Sequence, residues 1–131
     1  MSQKEIEQIL IRQLAGYLAM AVFIVDADGN MVFYNEPAER ILGTRFDETG
    51  EMAAIEWATA WNPTDEAGKA IVPEALPLWI ALHERRVATS RLWIRGFDNV
   101  PRFIEAVGFP LLGQGERHLG AVVLMWEAAL A

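Results

Sequence analysis

Two short runs of β-branched and aromatic residues, 22–25 and 31–34, flank Asp26, Asp28, Gly29 and Asn30. Turn formers between two apolar runs predict a β-hairpin. The spacing of apolar positions then changes to that of an amphipathic helix. Asn35 is placed to cap its first turn by accepting backbone N–H bonds, Pro37 is tolerated where amides have no intrahelical partner, and Gly43 can end it.

Upstream, Ile6, Ile9, Leu10, Leu14, Tyr17 and Leu18 recur at helical spacing and predict a helix from a Ser2 cap to about Leu18. Lys4, Glu5, Glu7, Gln8, Arg12 and Gln13 supply its polar remainder. Such a helix must lay its stripe on something, either its own sheet or a second copy of the chain. Downstream of Gly43, Met52, Ile55, Trp57 and Ala58 predict one or two short helices over residues 47–60, with Gly50 weakening the first. Pro63, Gly68 and Pro73 make residues 61–73 a surface loop. Over residues 74–87, Leu76, Trp79, Ile80, Leu82 and Val87 form one helical face. Pro77 belongs in its first turn, and Arg85 and Arg86 lie near the C-terminal end, where cations suit the helix dipole.

Three further strands are expected over residues 88–96, 102–109 and 119–126, joined through Asp98-Asn99 and through Gly113 and Gly115. In the last, Val122, Leu124 and Trp126 alternate with Ala121, Val123 and Met125, so both faces are apolar. One face would contact the helices; the other needs cover from the N-terminal helix or from a partner's sheet. Two strands, helices and a three-stranded meander define an α+β class with one antiparallel sheet.

The turn with Asp26 and Gly29, the helix opening at Asn35 and its closing pair Leu42-Gly43 together resemble the start of a PAS domain, a sensory module with a D-x-x-G turn at this point. The resemblance covers residues 21–127 as the domain, with residues 1–20 as an N-terminal cap or dimerisation helix. It implies a five-stranded antiparallel sheet in the order 2-1-5-4-3, helices on one face and an N-terminal amphipathic helix. It also implies that residues 74–87 are the helix that closes a ligand cavity, and residues 73–82 are similar to a subclass found in bacterial sensor kinases and phosphatase regulators. Many members leave the last strand through Asp-x-Thr. Here Glu127, Ala128 and Ala129 stand in that place, which points to a signalling protein engaged in trans or to an output domain outside this chain.

Composition narrows the function. With 131 residues, 53% of them hydrophobic, the chain has ample material for one core. A net charge of −7 opposes a nucleic-acid or anionic-membrane surface, both of which need a concentrated positive field. The absence of cysteine excludes disulfides and thiolate metal sites, and with them the covalent flavin and cysteine-anchored chromophore of PAS photoreceptors. No signal peptide or membrane-spanning run is evident, so a cytoplasmic domain is expected.

Five tryptophans dominate the candidate chemistry. Trp57, Trp61, Leu76, Trp79, Leu82 and Trp93 are the candidate lining of a cavity for a small apolar or aromatic ligand held non-covalently; the plainer role of the same tryptophans is core filler. The resemblance would put a haem-ligating histidine on the helix of residues 74–87, but His83 falls near its C-terminal end beside Glu84-Arg85-Arg86, which disfavours haem. His118 reads as a surface residue. Glu105, within an apolar strand, invites a raised pKa, although pairing with Arg102 or Arg91 is the plainer reading. There is no serine elbow, phosphate loop or zinc spacing, so no enzyme is expected. The expected function is a PAS sensor, with no cofactor identified, that couples ligand occupancy to a homodimer built on Ile6, Ile9, Leu10, Leu14 and Tyr17 and the outer sheet face. A ligand-free protein–protein interaction module is the alternative.

Overall fold

Turn chemistry sets the first hairpin. Asp26 accepts from the amides of Asp28 and Asn30 through its side chain, both at 3.0 Å, and Gly29 supplies the positive φ of +90° that the turn requires. The computed structural model describes residues 3–129 and contains α1 (Gln3–Tyr17), β1 (Ala21–Asp26), β2 (Met31–Tyr34), α2 (Glu36–Leu42), α3 (Phe46–Thr49), α4 (Ala54–Ala60), α5 (Pro77–Glu84), β3 (Ala88–Arg95), β4 (Pro101–Leu112) and β5 (His118–Glu127). The Ser2 cap expected for α1 lies outside the described residues. Among the described residues no helix is long and apolar enough to cross a membrane.

The five strands form one antiparallel sheet in the order β2-β1-β5-β4-β3. Alternation along the strands sorts side chains to two faces. Phe23, Val25, Leu92, Ile94, Ile104, Ala106, Val123 and Met125 point inward and form the main core with α2, α4 and α5. Val22, Ile24 and Val122 form a second, smaller cluster on the outer face with Ala15 of α1. Both faces of β1 and β5 are therefore buried, as the apolar alternation of residues 121–126 required.

The helix expected over residues 74–87 is shorter. Pro77 biases the residue before it away from helical geometry, and Leu76 is extended (φ −71°, ψ 140°), so residues 73–75 form a separate 3-10 turn. Arg85 then ends α5 in the left-handed region at φ +55°. Strand β4, expected over residues 102–109, runs on to Leu112. Gly108 is the last β4 residue paired with β3, so the amide that Pro110 lacks faces a side where β3 has already ended, and pairing with β5 continues to Leu112.

Candidate functional site

Asn35 ties the N-terminal half of the molecule together. Its side chain is buried, and every hydrogen-bonding position on it is used. Oδ1 accepts from Ala38 N at 3.2 Å, capping α2, and from Val22 N at 2.9 Å; Nδ2 donates to the carbonyls of Ala15 and Met20, both at 2.9 Å. The cap was legible in the sequence. The tie to α1 was not, because both carbonyls belong to residues whose sequence carries no mark of it.

Beneath the helices the inner sheet face leaves an apolar cavity of about 90 Å³. Its floor is sheet, with Phe23, Leu92, Ile94, Ile104 and Val123 among its residues, and its walls include Leu42, Trp57, Trp61, Pro63, Leu76 and Pro77. The two indoles are fixed. Trp57 Nε1 donates to the Gly29 carbonyl at 2.8 Å, and Trp61 Nε1 to the Leu42 carbonyl at 3.0 Å. Phe23 packs edge-on against both rings, at centroid distances of 6.2 and 5.9 Å. The N-terminus of α5 sits close on the sheet: a Cβ at Gly108 would lie 2.5 Å from the Pro77 carbonyl oxygen, so only glycine admits the helix at this height.

Of the candidate lining residues, the structure brings Trp57, Trp61 and Leu76 to the cavity. Leu82 is buried outside it, against the Gly29 turn. Trp79 is half-buried on the far side of Trp57, with ring centroids 6.2 Å apart, and leans on His83 at 4.7 Å. The placement of Trp93 at the cavity is corrected. On β3 the inward positions are Leu92 and Ile94, so Trp93 falls on the outer face, where its ring meets Phe103 at 5.1 Å. The same period-two alternation would have found Leu92 and Ile94, and Phe23 on β1, whereas Leu42 becomes a wall residue only through the packing of α2 onto the sheet.

The remaining titratable candidates sit outside the cavity. His83 is exposed on α5, and His118 is half-buried at the start of β5. Glu105 faces outward and pairs with its cross-strand neighbour Arg91 at 3.4 Å. Asp98 and Arg102 form a two-pronged ion pair at 3.1 and 2.7 Å, and Arg102 also donates to the Ile41 carbonyl at 3.0 Å. The guanidinium holds the Asp98 carboxyl below the usual carboxylate range, and the carboxylate raises Arg102 in return. Among the described residues there is no cluster of His, Cys, Asp and Glu able to hold a metal ion.

On the outer face α1 rests on the sheet through Ala15 and the half-buried Ile11. Arg117, before β5, pairs with Glu7 near the other end of the helix. Of the two covers expected for the stripe, its own sheet takes little of it: Ile6, Leu10, Leu14 and Tyr17 are exposed, Leu14 by 58% and Tyr17 by 88%, and Ile9, also exposed, borders the groove between α1 and the sheet.

The architecture is that of a PAS-fold domain. A PAS domain from Colwellia psychrerythraea matches at a TM-score of 0.62 with 15% identity, covering 95% of this chain and 97% of that one. The PAS domain of nitrogen regulation protein NR(II) from Vibrio parahaemolyticus matches at 0.62 with 16% identity, covering 91% of this chain and 98% of that one. A LOV protein from Rhodobacter sphaeroides matches at 0.70 with 18% identity, covering 97% of this chain and 69% of that one. No protein-family model and no curated protein matches the sequence.

Neither flavin nor haem fits the residues present. Small-molecule pockets span roughly 300–1,000 Å³, and this cavity has about 90 Å³. Its two indole N–H groups are already bonded to backbone carbonyls, so neither is free to hold the polar edge of an isoalloxazine ring.

Proposed function

We propose that this chain is a PAS-type sensory signalling module that works by association of two copies, with a compact apolar molecule as its input. The observation that carries the reading is α1, which lies on its own sheet by one side and turns the row Ile6, Leu10, Leu14 and Tyr17 to solvent. A row of this spacing is self-complementary: two copies related by a two-fold axis bury both rows against each other. Half-buried Trp93, Val107 and Trp126 add apolar surface on the same side of the sheet.

A cavity of about 90 Å³ walled by hydrocarbon and indole suits a ligand of a few heavy atoms. Binding biases association only if the ligand prefers one of two arrangements of the domain. A route between the two sites is supported by adjacent residues: Phe23 lines the cavity, Val22 beside it donates to Asn35, and Asn35 holds the Ala15 carbonyl of α1. The role is regulatory rather than catalytic, and its setting the bacterial cytoplasm, with the signal read by another protein in trans or by an output domain. A second reading, an interaction module with no ligand, is favoured by the fixed indoles of Trp57 and Trp61, which already fill much of the core.

Light scattering and native mass spectrometry of one sample test these readings. A dimer that becomes monomeric in the Leu10→Glu/Leu14→Glu variant without a change in melting temperature supports association through α1. A monomeric parent protein throughout the micromolar range overturns it. A stoichiometric small mass retained by the dimer supports a ligand; a dimer with no such mass, unaltered by small apolar compounds, favours the interaction module.

A further inference from the structure

Strand β3 is an edge strand that the chain covers over only half its length. Residues 61–64 run alongside it: Thr64 N donates to the Trp93 carbonyl at 2.9 Å, Trp93 N to the Thr64 carbonyl at 2.8 Å, and Arg95 N to the Trp61 carbonyl at 2.8 Å. The amide and carbonyl of Trp93 therefore point away from β4, and by the alternation of an antiparallel ladder so do those of Thr89 and Arg91. Both of these residues are exposed, and among the described residues no backbone group bonds to their outward amides and carbonyls.

The charge along this edge is the reverse of that of the whole molecule. From Arg85 to Arg95 there are four arginines and no acidic residue, in a chain of net charge −7. Glu84 pairs with Arg86 and Glu105 with Arg91. Arg85 has no ion pair among the described residues, and Arg95 donates to the neutral Asn99.

We propose that the open half of β3, at Thr89 and Arg91, is a docking edge for an extended acidic peptide segment of a partner protein, added antiparallel as a further strand. The covered half shows that this edge takes antiparallel backbone pairing, since Thr64 is bridged to Trp93 and the Trp61 carbonyl receives the Arg95 amide. Extended peptide is the occupant whose own amides and carbonyls match outward groups that repeat every second residue and lack a backbone partner, the Arg91 carbonyl meeting only the Ser90 hydroxyl at 3.5 Å among the described residues. Carboxylates along it would meet Arg85 and Arg91. Edge-to-edge pairing of β3 with a second copy would instead bring two sets of four arginines together, and like charges directly opposite are destabilising.

The test is an amide NMR titration of the whole chain at low salt with the synthetic peptide acetyl-Val-Glu-Val-Glu-Val-Glu-amide, alongside its Lys-for-Glu counterpart. The expected result is saturable binding of the acidic peptide alone, with shifts and slowed hydrogen exchange centred on the Thr89 and Arg91 amides. Thr89→Pro removes one outward N–H that the fold does not use, which proline tolerates at an edge, and should weaken binding about tenfold or more. The Arg85→Glu/Arg86→Glu variant should weaken it by a similar factor while leaving the melting temperature unchanged, and it decides the matter if the proline variant fails to fold. Shifts centred elsewhere, equal binding of the lysine peptide, or no saturation at millimolar peptide would overturn the proposal. So would displacement by a single-stranded oligonucleotide that binds as tightly and ignores Thr89→Pro, because charge alone would then explain the affinity.

Discussion

The indole N–H of Trp61 and the carbonyl of Leu42, 3.0 Å apart, join the cavity wall to the end of a helix. Leu42 closes α2, where carbonyls have no intrahelical donor, and the same oxygen accepts from Phe97 N at 3.0 Å. Trp61→Phe keeps a ring and leaves the oxygen one donor, so it should lower stability by about 1 kcal/mol. Trp61→Ala removes the wall and should cost about 3–5 kcal/mol. Urea denaturation of both variants checks the difference; equal losses would assign the whole effect to the hydrogen bond.

Asn35→Ala should be among the most damaging polar-to-apolar changes. It removes the α2 cap and strands Val22 N and the Ala15 and Met20 carbonyls together. The expected loss is about 3 kcal/mol. Hydrogen exchange should show α1 amides opening more readily than those of β1 and β5; uniform acceleration would argue against a specific hold on α1.

Arg85 ends α5 at φ +55°, a conformation that crowds any Cβ. Arg85→Gly should therefore raise stability by about 0.5–1 kcal/mol, the strain relieved exceeding the entropy glycine adds to the unfolded chain. An unchanged or lowered midpoint in chemical denaturation would show that the arginine side chain offsets its own strain.

Acid should weaken the anchor between the β3–β4 turn and α2. The Asp98 carboxyl has its folded pKa depressed, chiefly by the hydrogen bonds from Arg102. Its contribution is then fully present above the ordinary aspartate pKa and is lost as pH falls through the folded value. Asp98→Asn should flatten this part of the acid limb while leaving the neutral-to-alkaline profile parallel to that of the parent. Urea midpoints measured from neutral pH downward test it, and two superimposable acid limbs would remove Asp98 from the account.

Much of this fold is written locally. The Asp26–Gly29 turn, the Asn35 cap and the Gly43 stop each act within a few residues, through backbone sterics and side-chain bonds that any chain carrying them in that order would form. Apolar alternation likewise announced that β5 is buried on both sides.

Tertiary packing decided what local pattern left open. The stripe on α1 was legible, but not that α1 would settle by Ile11 and Ala15 and turn the stripe outward, since one helix carries two faces able to meet a sheet. Trp93 is the exception, since the strand's own period of two, a local signal, already sends it to the face opposite Trp61. By itself the sequence determined the elements, their order and the two apolar faces of β5, because propensity, capping and periodicity act over a few residues. Only the tertiary structure decided which tryptophans wall a cavity, how small that cavity is and which half of β3 stays open, because these depend on how distant segments pack together.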